Sequence, residues 1–243
     1  MTTLLVVVAV ALASFVKGSI AMGFPLVATP LIALALDVKT AVAITILPNA
    51  AMDAVQVVRR GGVLATARRL APMLVLCVPG TVFGTYLLVL LSAETASLVL
   101  GFFVLGFVAL SVAGRMPRIP TRWEGPLGAL AGLVAGLLNG VTNAAGPPLA
   151  MYFQGVGMEK QEFVRSIALV FVTVKVAQLG ATGWYGLLTG SLLLVSLGLT
   201  AVGLIAFAAG LRLQDWLRER TFQRLVLGFL AVIGAWLVVR GLG

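Results

Sequence analysis

Three ionisable side chains stand inside apolar runs: Lys17, Asp53 and Lys175. At the centre of a membrane helix a charge costs about 2.5–3.5 kcal/mol on insertion scales, so each needs a partner, a route to water or a task. Lys17 opens the stretch Lys17-Gly18-Ser19-Ile20-Ala21-Met22-Gly23-Phe24-Pro25, a break in the run from Leu4 to Leu36. A second break, Asn139 to Pro148, interrupts the run from Gly125 to Gly157. A half-helix starting at Pro25 or at Pro147-Pro148 aims unpaired N–H groups and a positive dipole end into any cavity beside it, which suits an anion. The candidate substrate-binding residues are therefore Lys17, Gly18, Ser19, Asn139, Gly140, Thr142, Asn143, Pro147, Lys175 and Gln178.

Each of these carries a plainer alternative. Ser19, Asn139, Thr142 and Asn143 can donate to an oxyanion or cap the broken helices. Lys17 can face the site or snorkel from a helix end to water. Lys175, among Val172, Val174, Val176 and Ala177, faces the site or forms an ion pair with Asp53. Asp53 is the only carboxylate within an apolar segment, and so the one candidate for a carboxylate proton carrier. Asn49 and Gln56, at spacings of four and three, share its helix face. Its alternative is an interfacial position near Arg59 and Arg60. Met151-Tyr152-Phe153 and Trp184-Tyr185 are read as packing and interfacial belt.

Composition says what surrounds these groups. Of 243 residues, 60% are hydrophobic and 10% are charged, with a mean hydropathy of +1.11; soluble domains carry about a quarter charged residues. The chain is a polytopic membrane protein. Its net charge of +9 sits in a few short gaps between apolar runs, so nucleic acid is excluded as a partner. One cysteine, Cys77, and no histidine remove an intrachain disulfide, a thiolate metal cage, Ser-His or Cys-His nucleophiles and histidine proton relays. No metal and no cofactor is expected. The expected partners are a small anion and membrane lipid, with a homodimer as a further possibility.

A membrane core of roughly 30 Å needs about 20 helical residues. By that ruler the segments are 1, Leu4 to Met22; 2, Phe24 to Leu36; 3, Ala41 to Val58; 4, Leu70 to Leu91; and 5, Thr95 to Ala113. After a polar stretch the plan recurs: 6, Gly125 to Leu138; 7, Pro148 to Gly157; 8, Phe163 to Gly180; 9, Ser191 to Ala209; and 10, Phe222 to Val239. Segments 2 and 7 are too short to span. Residues 211 to 224 alternate apolar and charged side chains and read as a short interfacial amphipathic helix, or alternatively as a pocket for an anionic lipid head group.

Shifting the chain by 122 residues lays Gly18 on Gly140, Pro25 on Pro147, Gln56 on Gln178 and Asp53 on Lys175. Five segments per half is an odd number, so the halves run in opposite directions. The expected fold is an all-α inverted repeat of two five-segment halves, each with a broken or re-entrant short helix pair, giving about eight full spans plus re-entrant elements, or ten segments. The expected divisions are 1–113, the first repeat; 114–124, a cytoplasmic linker; and 125–243, the second repeat. The loops after segments 3, 5, 7 and 9 hold Arg59, Arg60, Arg68, Arg69, Arg115, Arg118, Arg122, Lys160, Arg165 and four arginines from Arg212 to Arg224, against only Lys39 and Arg240 opposite. That asymmetry places the first face in the cytoplasm and both termini outside.

Inverted repeats with matched Gly/Pro-interrupted segments point to a secondary transporter working by alternating access. A passive anion channel is one alternative. An enzyme acting on lipid phosphates is another, weakened by the lack of histidine and of a second buried carboxylate. The sequence also resembles the sulfite exporter TauE/SafE family, the toluene-sulfonate uptake permeases. The likeness lies in Phe15-Val16-Lys17-Gly18 through Gly23-Phe24-Pro25-Leu26 and Asp37 to Val42, and in Gly136 to Gly140 through Gly146-Pro147-Pro148-Leu149 and Glu159 to Arg165. It implies a bacterial inner-membrane carrier, not an enzyme, for sulfite, sulfonates, sulfoacetate or related small oxyanions.

Overall fold

The computed structural model describes residues 2–33, 35, 36, 38–90, 102, 105, 106, 108, 109, 112, 118–143 and 145–242. Most of the expected segment 5 and the start of the expected linker lie outside them. Ten helices follow among the described residues: α1 Thr2–Ile20, α2 Phe24–Ala33, α3 Val38–Arg60, α4 Val63–Arg69, α5 Ala71–Leu90, α6 Thr121–Thr142, α7 Gly146–Gly155, α8 Lys160–Trp184, α9 Gly190–Trp216 and α10 Glu219–Leu242. Six of them (α1, α3, α5, α6, α8 and α9) are long and apolar enough to cross a membrane. The protein is an all-α polytopic membrane protein. By contrast α2 and α7, ten residues each, reach only about 15 Å, half the hydrocarbon thickness.

The outer surface is apolar, as a lipid-facing surface must be: Leu194 is 71% exposed and Ile205 76%. On α8, Val176 points outward at 64% exposure while its neighbour Lys175 is 1% exposed, so one helix presents lipid-facing and core-facing sides one residue apart. Helices related by the 122-residue shift take related partners. α1 packs on α9 as α6 packs on α5; α9 and α5 in turn pack on α3 and α8, which lie against each other. The two halves thus interleave through their partners.

Two proline and glycine features set this packing. Pro48, inside α3, has no N–H for the carbonyl of Ile44 one turn earlier; Ser196 of α9 donates to that oxygen at 2.8 Å instead. The freed polar group thereby ties α3 to α9, as the absence of water in a membrane requires. Gly18 and Gly140 let neighbouring backbones approach closely. A Cβ on Gly18 would lie 2.4 Å from the Phe207 carbonyl oxygen of α9, and one on Gly140 would lie 2.3 Å from the Thr85 nitrogen of α5. Such small-residue contacts are how membrane helices pack.

The expected interfacial helix over residues 211 to 224 is overturned. α9 continues unbroken to Trp216, and a new helix starts at Glu219. Leu211 and Gln214 are buried, Asp215 forms an ion pair with Arg59 of α3, and Lys160 donates to the carbonyls of Gln214 at 2.6 Å and Leu217 at 2.5 Å. The stretch is therefore the end of a long helix, its last carbonyls capped by the Lys160 cation of α8, where a positive charge suits them. The same end of the bundle carries Arg69, which bonds Glu124 of α6 at 3.1 Å and also pairs with Glu162 of α8. Tyr152 and Phe153 are core residues; the Tyr152 hydroxyl donates to the Glu124 carbonyl at 2.9 Å.

Candidate anion site between two broken helices

At each break the helix ends on a left-handed residue that is not glycine, Ala21 at φ 66° and Asn143 at φ 65°, 122 positions apart, and Gly23 in the first break also has positive φ, 96°. Asparagine tolerates this conformation, whereas alanine pays about 1–2 kcal/mol for it. The breaks meet. The Met22 side chain lies 3.0 Å from where a Cβ on Gly146 would stand, and Ile20, Met22 and Leu26 share one core with Leu149, Phe171 and Val174. Asn143 is tied across the chain to α3, its amide donating to the Thr45 hydroxyl at 2.9 Å.

Two polar clusters flank this junction. In the first, the Lys17 ammonium lies 2.5 Å from Asp53 Oδ1, donates to Asn49 Oδ1 and sits 5.2 Å from the Phe171 ring centroid, a cation–π distance. In the second, the Lys175 ammonium donates to Asn139 Oδ1 and Gln178 Oε1, both at 2.8 Å, and to Asn143 Oδ1. Gln178 returns its own amide to the Asn139 carbonyl at 3.1 Å. Lys17, Asp53, Gln56 and Gln178 are fully buried, and Asn49, Asn139, Asn143 and Lys175 are at 1% exposure. Both lysines are therefore interior groups, and neither the snorkelling position of Lys17 nor the interfacial position of Asp53 is what the structure shows.

The ion-pair alternative for Lys175 is corrected. Asp53 pairs with Lys17 across α1 and α3, while Lys175 donates to the neutral amide oxygens of Asn139, Asn143 and Gln178. The two ammoniums and one carboxylate still lie within electrostatic reach of one another. With both lysines protonated and Asp53 ionised, their sum is one positive charge for which the described residues show no further fixed counter-charge.

Other expected ligands sit elsewhere. Gly18 and Gly140 serve helix packing, as described above. The Ser19 hydroxyl donates to the Phe15 carbonyl at 2.9 Å and that of Thr142 to the Leu138 carbonyl at 2.8 Å, each within its own helix, so their protons are committed. Pro147 and Pro148 are buried at the start of α7; having no N–H, they leave the dipole end in place but withdraw two of the donors expected there. Thr45 and Phe171 were missed by sequence reasoning. Thr45 falls on Ile167 under the repeat shift and so has no polar echo, though a lone threonine in an apolar run is itself a signal. Phe171 falls on Asn49, an apolar residue where the first half has a polar one.

A profile of the family described as sulfite exporter TauE/SafE matches residues 6–237, nearly the whole chain. The chain belongs to the sulfite exporter TauE/SafE family. It is thereby a membrane transporter of the sulfite or anion exporter type. No curated protein and no solved structure matches the chain.

Proposed function

We propose that the protein is a secondary carrier of small sulfur-containing or organic oxyanions, such as sulfite, sulfonates and sulfoacetate-like anions, in a bacterial inner membrane. Its termini face the periplasm and the arginine-rich end of the bundle faces the cytoplasm. The observation that carries this reading is Lys175: a fully interior ammonium, held by amide oxygens of Asn139, Asn143 and Gln178, while Asp53, the carboxylate that acts on it among the described residues, is engaged by Lys17. A bound oxyanion supplies the missing counter-charge and exchanges ammonium–amide hydrogen bonds for ones in which donor and acceptor are both charged.

The burial of every group in the centre supports alternating access, with the half-length helices α2 and α7 as the elements that close it from either side. Asp53 is the group that can carry a proton with the substrate. The test is uptake of sulfite and of a sulfonate into proteoliposomes by wild type and Lys175→Gln. Saturable uptake lost in the variant supports the reading; equal uptake by both proteins refutes it.

A further inference from the structure

The charge count at the centre constrains more than the sign of the guest. With both lysines protonated, they exceed an ionised Asp53 by one positive charge and a protonated Asp53 by two. A buried net charge is strongly penalised, so the guest that best fits has a charge equal and opposite to the excess. We infer that Asp53 matches the centre to the valence of its guest: a monoanion enters with Asp53 ionised and brings no proton, and a dianion enters with one proton on Asp53. This rests on the anion-carrier reading and adds to it a rule linking substrate charge to proton movement.

The geometry provides for the proton. Asp53 Oδ1 faces Lys17, while Oδ2 is buried without a hydrogen-bond partner. One turn along α3, both side-chain amide atoms of Gln56 are also buried and unpartnered. The spacing of three residues puts Asp53 and Gln56 on one face of α3. In this structure the two side chains are not bonded to each other; a rotation of the Gln56 amide would bring its carbonyl oxygen to a protonated Oδ2 as acceptor, or its NH2 to the ionised form as donor. Gln56 acts as a positioning residue for both forms.

The charged groups facing Asp53 are Lys17 on α1 and Lys175 on α8. α2 has no titratable residue. On α9, Arg212 and Asp215 lie in the last two turns, with Asp215 paired to Arg59. On α4 they are Arg68 and Arg69, with Arg69 bound to Glu124 and Glu162. On α8 the remaining ones, Lys160, Glu162 and Arg165, lie at its other end from Lys175.

The experiment uses the full chain in proteoliposomes with a pH-sensitive dye inside, at neutral pH, with methanesulfonate as monoanion and sulfoacetate as dianion. For wild type, sulfoacetate moves about one proton per molecule and methanesulfonate none. Asp53→Asn fixes the excess at two: sulfoacetate moves without a proton, and methanesulfonate uptake falls by at least about tenfold. The double variant Lys17→Gln/Asp53→Asn restores an excess of one without leaving an unpaired lysine at the first cluster. It takes methanesulfonate without a proton and loses sulfoacetate by at least about tenfold. Equal proton movement with both anions in wild type, or a valence preference that the variants leave unchanged, overturns the inference while the carrier reading stands. Absence of both transport and thermal stabilisation of wild type by either anion overturns the carrier reading itself.

Discussion

At the first break an ammonium on α1, Lys17, meets a carboxylate on α3, Asp53. At the second, the repeat-related positions hold an amide on α6, Asn139, and an ammonium on α8, Lys175. The backbone device is shared: a helix ending in one left-handed residue, a turn, and a ten-residue half-helix. The chemistry differs in its balance. The first cluster neutralises itself, and the second holds an ammonium whose direct partners among the described residues are neutral amides. One scaffold thereby yields an ion pair on one side and an amide-held ammonium on the other, and the proposed carrier assigns the proton to the first and the anion to the second.

The sharpest way to break this comparison is to remove one member of the self-neutralised side. Asp53→Leu strands Lys17 in the interior and is expected to cost about 3–5 kcal/mol, whereas Lys17→Met/Asp53→Leu is expected to recover most of that. Thermal denaturation of the purified variants decides it; equal melting temperatures for single and double variants would contradict the ion pair. On the other side, Lys175→Gln removes a charge that has no fixed partner. We expect transport to fall on the order of a hundredfold, about 2.7 kcal/mol of lost binding to the transported state, with a melting temperature no lower than wild type. A large loss of stability would instead make Lys175 a structural group.

The shared backbone device is tested more gently. Gly18→Ala and Gly140→Ala each force a neighbouring helix outward and should cost about 1–3 kcal/mol, in similar measure because both meet backbone at under 2.5 Å. Thr45→Val removes the acceptor that holds Asn143 and is expected to cost about 1 kcal/mol, loosening only the second break. Ser19→Ala and Thr142→Ala come last, at under about 0.5 kcal/mol, with substrate affinity within about twofold. A tenfold loss in either would return that hydroxyl to the anion site.

Much of this was legible in the residues themselves. The short α2 and α7 and their breaks follow from where glycine, proline and polar residues interrupt apolar runs, because backbone that leaves the helix within a membrane must be satisfied locally. The same reasoning singled out Lys17, Asp53 and Lys175, since the cost of a charge in lipid depends on the charge and its depth, both of which composition reports. The 122-residue echo likewise paired the breaks.

Only the tertiary structure decided how these groups are partnered. Asp53 neutralises Lys17, 36 positions away, and not Lys175, because α1 and α3 bring those two side chains together. Gly18 and Gly140 belong to helix contacts because α9 and α5 happen to cross there. Residues 211 to 216 extend a spanning helix because Arg59 and Lys160 from other helices stabilise its end. A sequence sets what each residue costs when buried, for that is local chemistry; which neighbour meets the cost depends on how separate helices cross, and that is a property of the packed molecule alone.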